Sequence, residues 1–165
     1  MIGPVLASAV LALLAPLPPP LLPSTAELLL ELEQSSAGNE RLRIHHRLLG
    51  HYWRDVASDG DTALPEVELL GPGQRFSACG RATASNAYCP QSAQIGIDAR
   101  GLLSRLRLQS RPSTELTALT VLAHEWGHHV NQAIDQGPFK GREEDAADWR
   151  AGRYLGWLIA QNALK

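Results

Sequence analysis

Aromatic residues are scarce in this chain, at 5% of 165 positions, and there are only two cysteines and one methionine. Charge of one sign is not in excess: 15 basic residues stand against 17 acidic ones, a formal net charge of −2. That balance gives no basic footprint for nucleic acid and no bias toward acidic substrates. Two cysteines are too few for a disulfide-rich scaffold. No repeats occur. Long apolar runs are also missing. The longest proline-free run at the N-terminal end is Val5 to Ala15, short of the roughly 20 residues that a spanning helix needs. The length suits one domain with a real core.

What is present gathers around His124-Glu125-Trp126-Gly127-His128. The pattern is H-E-x-x-H, whose spacing has a chemical reason. On a helix, residues four apart share a face, so His124 and His128 can direct imidazole nitrogens at one Zn²⁺. Glu125 then stands beside the metal. There it can take a proton from a metal-bound water and pass it to a leaving amine. The helix is predicted over Pro112 to Ile134, with Leu116, Leu119, Val121, Leu122, Ala123 and Val130 as its apolar set and Ser113 as N-cap. Gly127 lowers helix propensity but lets another backbone come close. Buried, incidental histidines are the bland alternative.

A catalytic zinc needs a third protein ligand. Glu144 and Asp148 lie four apart on a second predicted helix, after the breaker-rich loop Gln136 to Gly141. Ala147 and Ala151 lie along nearly the same face, where small side chains permit a close antiparallel approach. Glu144 is the expected third ligand. Asp148 is expected to hydrogen-bond a ligand histidine and fix its tautomer. Glu143 and Asp145 read as ordinary first-turn acids favoured by the helix dipole.

Three ordered blocks resemble the neutral zinc metallopeptidase family. Ala123 to Val130 resembles its A-H-E-x-G-H-H-V segment. Glu144, Ala147, Asp148, Ala151 and Gly152 match E-x-x-A-D-x-x-A-G. Ser77-Ala78-Cys79-Gly80, Tyr88-Cys89-Pro90 and Ile95-Gly96-Ile97-Asp98 resemble its S-A-C-G, Y-C-P and I-Y-L-D run. Trp149 departs from the family, which has Cys there. The resemblance implies an α+β, zincin-like fold, mainly helical, with a small sheet beside the H-E-x-x-H helix. It also implies zinc dependence and peptidase activity, with His124, His128 and Glu144 as ligands and Glu125 as general base. By the same resemblance, Ile95, Gly96 and Ile97 are expected to form the edge strand that holds an extended peptide or protein substrate.

Residues 1–26 read as an apolar, proline-rich leader and 27–165 as the metallopeptidase-like domain. The leader suits the apolar region of a secretory signal, with Ser24-Thr25-Ala26 as a small-residue cleavage site, although no Lys or Arg precedes Arg41. Export to the envelope or medium is the expectation. A remnant anchor that associates with a membrane is the competing use. Ser24-Thr25-Ala26-Glu27 also reads as a capping box that opens a helix through Leu28, Leu29, Leu30 and Leu32. In an exported chain Cys79 and Cys89 are expected to pair as a disulfide; reduced buried thiols are the alternative.

Glu40 to Ala57 reads as an amphipathic helix with Leu42, Ile44, Leu48, Leu49, Tyr52, Trp53 and Val56 apolar. Its His45, His46 and His51 lack the i, i+4 ligand spacing and are expected at the surface or at a packing interface. Val67 to Leu70, Arg75 to Ala78 and Gln94 to Asp98 are candidate strands, and Gly101 to Leu108 a short helix or turn. Gly152 and Gly156 suit close helix contact. His129 reads either as a donor behind the metal or as a partly exposed polar residue. Tyr88, Tyr154 and Arg150 are equal candidates for a transition-state donor. The rival functional readings are a non-catalytic zinc-containing scaffold and an envelope interaction protein anchored by the leader.

Overall fold

The computed structural model of the chain describes residues 23–36, 38–57, 63–71, 74–80, 86–98, 114–134 and 139–164. The apolar run of the leader, Gly101 to Leu108 and the expected cap Ser113 lie outside them. Among the described residues the architecture is α+β. It comprises α1 (Thr25–Gln34), α2 (Gly38–His51), β1 (Glu66–Leu69), β2 (Ala87–Cys89), β3 (Gln94–Ile97), α3 (Thr114–Ala133) and α4 (Glu143–Ala160).

The capping box forms. Ser24 Oγ accepts from the Glu27 backbone N–H, and the Glu27 carboxylate accepts from the Ser24 N–H at 2.7 Å. Two orphan donors of the first turn are thereby satisfied. The cap Ser24 and the first two residues of α1, Thr25 and Ala26, thus lie on the leader side of the 26/27 boundary, and the capping box spans it. Leu28 and Leu32 of α1 are fully buried, and Arg41 donates to the carbonyls of Leu32 and Ser35 at its C-terminal end. No helix among the described residues is long and apolar enough to cross a membrane.

In α2 the expected apolar set is buried from Leu42 to Trp53, but Val56 is exposed. The chain passes from α-helix into a π-helical turn over Tyr52–Val56. The wider turn rotates the residues that follow off the inward face. The buried apolar side chains of α3 are Ala118, Leu119, Leu122, Ala123, Trp126 and Val130, a helical-period stripe packed into the main core. In α4 the buried face is Ala146, Ala147, Arg150, Ala151, Tyr154 and Leu158. Gly152 and Gly156 were expected at a helix contact. Both face outward instead, with nothing within 4 Å of an added Cβ.

The sheet has the order β1-β3-β2, with β1 parallel and β2 antiparallel to β3. Two strand expectations need correction. Of Arg75 to Ala78 only Phe76 makes a bridge; its ring fills the space over Gly96, where a Cβ would stand 2.3 Å from the ring. Ala87–Cys89, read only as part of a motif, is a strand. Cys79 and Cys89 form a disulfide with Cα atoms 5.5 Å apart, which ties β2 to the Ser77–Gly80 turn.

Candidate metal centre

The two long helices α3 and α4 run antiparallel at very short range. A Cβ on Gly127 would lie 2.7 Å from both the Cα and the carbonyl oxygen of Ala147. Only glycine against alanine permits this. The approach sets one register along the pair: Asn131 meets Glu143, His128 meets Glu144, and His124 meets Asp148.

That register brings three ligand-type side chains to a point. His124 Nε2 and His128 Nε2 are 3.1 Å apart. Glu144 Oε2 is 3.2 Å from His124 Nε2, and Glu144 Oε1 is 3.5 Å from His128 Nε2. Ligands about 2.0–2.1 Å from a tetrahedral zinc are separated from each other by about 3.3 Å. The three observed separations bracket that edge. His124, His128 and Glu144 are also the cluster of described histidine, cysteine and acidic residues whose ligand atoms could hold a metal ion.

The protonation pattern fits a cation. Asp148 Oδ1 lies 2.8 Å from His124 Nδ1. A carboxylate accepts, so Nδ1 carries the proton and Nε2 turns a lone pair inward. Burial, and then the neighbouring His124, hold the His128 pKa below its ordinary value. A neutral imidazole is the form that ligates.

Glu125 sits beside the cluster and is 8% exposed. Burial pushes its pKa up to about 7, opposed by His124 and by a hydrogen bond from the Tyr88 backbone N–H. Asn86, together with Ala87 and Tyr88 of the β2 edge, lines a cleft of about 430 Å³ with Glu125, His124 and His128. A buried carboxyl with a pKa near neutrality, beside a cluster that could hold a metal ion and open to a cleft, has the form that a general base requires.

The expected substrate strand is not where the sequence reading put it. Ile95, Gly96 and Ile97 belong to β3, the central strand, which is paired on both sides. A strand with both edges hydrogen-bonded cannot accept a peptide by strand addition. The strand at the cleft is β2.

The candidate transition-state donors also sort themselves. Tyr154 is fully buried, with its hydroxyl against His45. Arg150 is buried on α4, and neither it nor Tyr154 lines the cleft. Tyr88 lines it, but its hydroxyl meets His129 Nδ1 at 3.1 Å. The α2 histidines differ from one another. His46 accepts from Trp126 Nε1 at 3.1 Å and so packs on α3, while His51 pairs with Asp55. His45, expected at a surface or packing interface, is wholly enclosed.

No protein-family model, characterised protein or solved structure matches this chain. The functional reading therefore rests on the residues themselves.

Proposed function

We propose that the chain is a zinc-dependent peptidase with a zincin-like fold, in which His124, His128 and Glu144 hold the ion and Glu125 is the general base. The observation that carries the reading is the triangle of ligand atoms with Glu125 buried beside it. A bound zinc supplies Lewis acidity, polarising a carbonyl and acidifying water.

The chain's own residues do the rest. Asp148 holds His124 in the ligating tautomer. Glu125, raised toward neutrality by burial, takes a proton from water and returns it to the leaving amine. The β2 edge borders the cleft, so an extended peptide or protein substrate would lie along Ala87 and Tyr88. Export is part of the same proposal, supported by the Cys79–Cys89 disulfide, since such bonds persist in oxidising compartments.

The test compares zinc content and peptide-library cleavage in the wild type, Glu125→Gln and His128→Ala. Glu125→Gln is expected to keep about one zinc and lose hydrolysis, and His128→Ala to lose both. A Glu125→Gln protein as active as the parent would remove the mechanism. Stable zinc with no cleavage by the wild type would favour the scaffold reading.

A further inference from the structure

Directly after the second ligand comes a histidine that the ligand set does not use. His129 is 8% exposed, and both of its ring nitrogens are engaged. Nε2 lies 2.7 Å from the Ala63 carbonyl oxygen. A carbonyl only accepts, so Nε2 carries the proton and Nδ1 is an acceptor. The Tyr88 hydroxyl, 3.1 Å from Nδ1, must therefore donate to it. The ring is further held edge-on against Trp126 at 5.4 Å and Tyr88 at 5.5 Å.

Tyr88 is the same residue whose backbone N–H reaches the Glu125 carboxylate. It pairs with Ile95 at the last sheet position before the cleft. A three-residue edge strand has little ladder of its own to fix it. On this edge, the side-chain tie from Tyr88 to His129 fastens β2 to the helix that carries Glu125. The links run from the Ala63 carbonyl to His129, to the Tyr88 hydroxyl, along the Tyr88 backbone, and to Glu125.

We infer that His129 is a positioning residue: through the Tyr88 hydroxyl it fixes the β2 edge so that the Tyr88 backbone N–H holds the Glu125 carboxylate in place. The inference rests on the peptidase reading, in which Glu125 must meet a water and a leaving amine in turn. A general base works only within hydrogen-bond reach of its proton, and a displacement of about 1 Å can cost on the order of 100-fold in rate.

The experiment uses zinc-loaded wild type, Tyr88→Phe, His129→Phe, His129→Gln and the Tyr88→Phe/His129→Phe double variant. His129→Gln keeps a donor for Ala63 and an acceptor for Tyr88. Tyr88→Phe and His129→Phe are each expected to lower kcat roughly 10- to 100-fold with KM little changed. The double variant should be no worse than either single one, and His129→Gln should recover most of the loss.

A second readout needs no activity. In amide NMR the Tyr88 N–H should be low-field and slow to exchange in the wild type and in His129→Gln, and lose both properties in His129→Phe. Full kcat in Tyr88→Phe and His129→Phe, an unchanged Tyr88 amide in His129→Phe, or equal losses in His129→Phe and His129→Gln would each overturn the inference. A wild type that cleaves no peptide while its Tyr88 amide stays tied would overturn the peptidase reading, and the positioning role with it. A wild type that cleaves while the variants match it overturns the positioning role alone.

Discussion

Gly127 and Ala147 touch so closely that the α-carbon of one helix occupies the space where the other would place a side chain: an added Cβ on Gly127 would be 2.7 Å from Ala147 Cα. The obstacle is backbone, which cannot swing away as a side-chain tip can. Gly127→Ala must push α3 and α4 apart. The proposed ligand set spans the same two helices, with His124 and His128 on one and Glu144 on the other. The expected result is a loss of about 1–3 kcal/mol from overpacking, together with weaker zinc binding as Glu144 withdraws. Thermal melts and a zinc competition titration check it. Unchanged affinity would mean that Glu144 does not depend on this contact.

Asp148 touches no ion directly in this reading and acts through His124. Its carboxylate is largely exposed, so removing its charge should leave the fold standing. Asp148→Asn is expected to weaken zinc binding roughly 10- to 100-fold, with a melting temperature of the metal-free protein near the wild-type value. An amide can still accept from Nδ1–H, so Asp148→Ala should be the more damaging change. Equal zinc affinity in all three proteins would separate Asp148 from the metal centre.

The parts of the site that were legible in the sequence are those fixed by helical spacing. His124 with His128, and Glu144 with Asp148, are i, i+4 pairs, and Gly127 with Ala147 announces a close approach by residue size alone. What stayed hidden depends on partners distant in the chain. Ala87–Cys89 is too short to show alternation, so β2 was not recognised as a strand. The order β1-β3-β2 places Ile95 to Ile97 in the centre of the sheet, and no local pattern encodes that order. For His45 the choice between surface and packing interface stayed open because the partner that encloses it, Tyr154, lies 109 positions away. Val56 was misplaced because a π turn breaks the 3.6-residue period on which the reading relied.

His45 carries a pH prediction that is independent of the metal. Burial, and then Arg41, lower its pKa from 6.5 to about 4. The groups around it are Tyr154 at Nδ1 and, 3.8 Å from Nε2, Glu115, which Arg41 already engages at 2.6 Å. The folded state therefore resists protonation where the unfolded state accepts it. The stability is complete above about pH 6.5 and is lost as pH falls from there toward 4. The full span is on the order of 3 kcal/mol. Urea unfolding of zinc-stripped protein across this window should show a shallower pH dependence in His45→Asn than in the wild type. Parallel curves would mean that His45 is protonated in the folded state.

The disulfide supports a last prediction, because its position couples stability to the cleft. Cys79 and Cys89 are 10 apart in sequence, so the crosslink is worth about 2–3 kcal/mol in the chain-entropy account. Cys89 is fully buried and adjacent to Tyr88, and it ends the strand that borders the site. Reduction should therefore loosen β2 before it unfolds the helices, whose ligands do not depend on the sheet for their register. The Cys79→Ser/Cys89→Ser protein is expected to melt lower and to keep its zinc, while losing more peptide cleavage than its stability loss explains at a temperature where it remains folded. Zinc retention and cleavage, measured on the same reduced and oxidised samples, check this. If zinc and cleavage fall together, β2 supports the whole metal centre rather than the substrate edge alone.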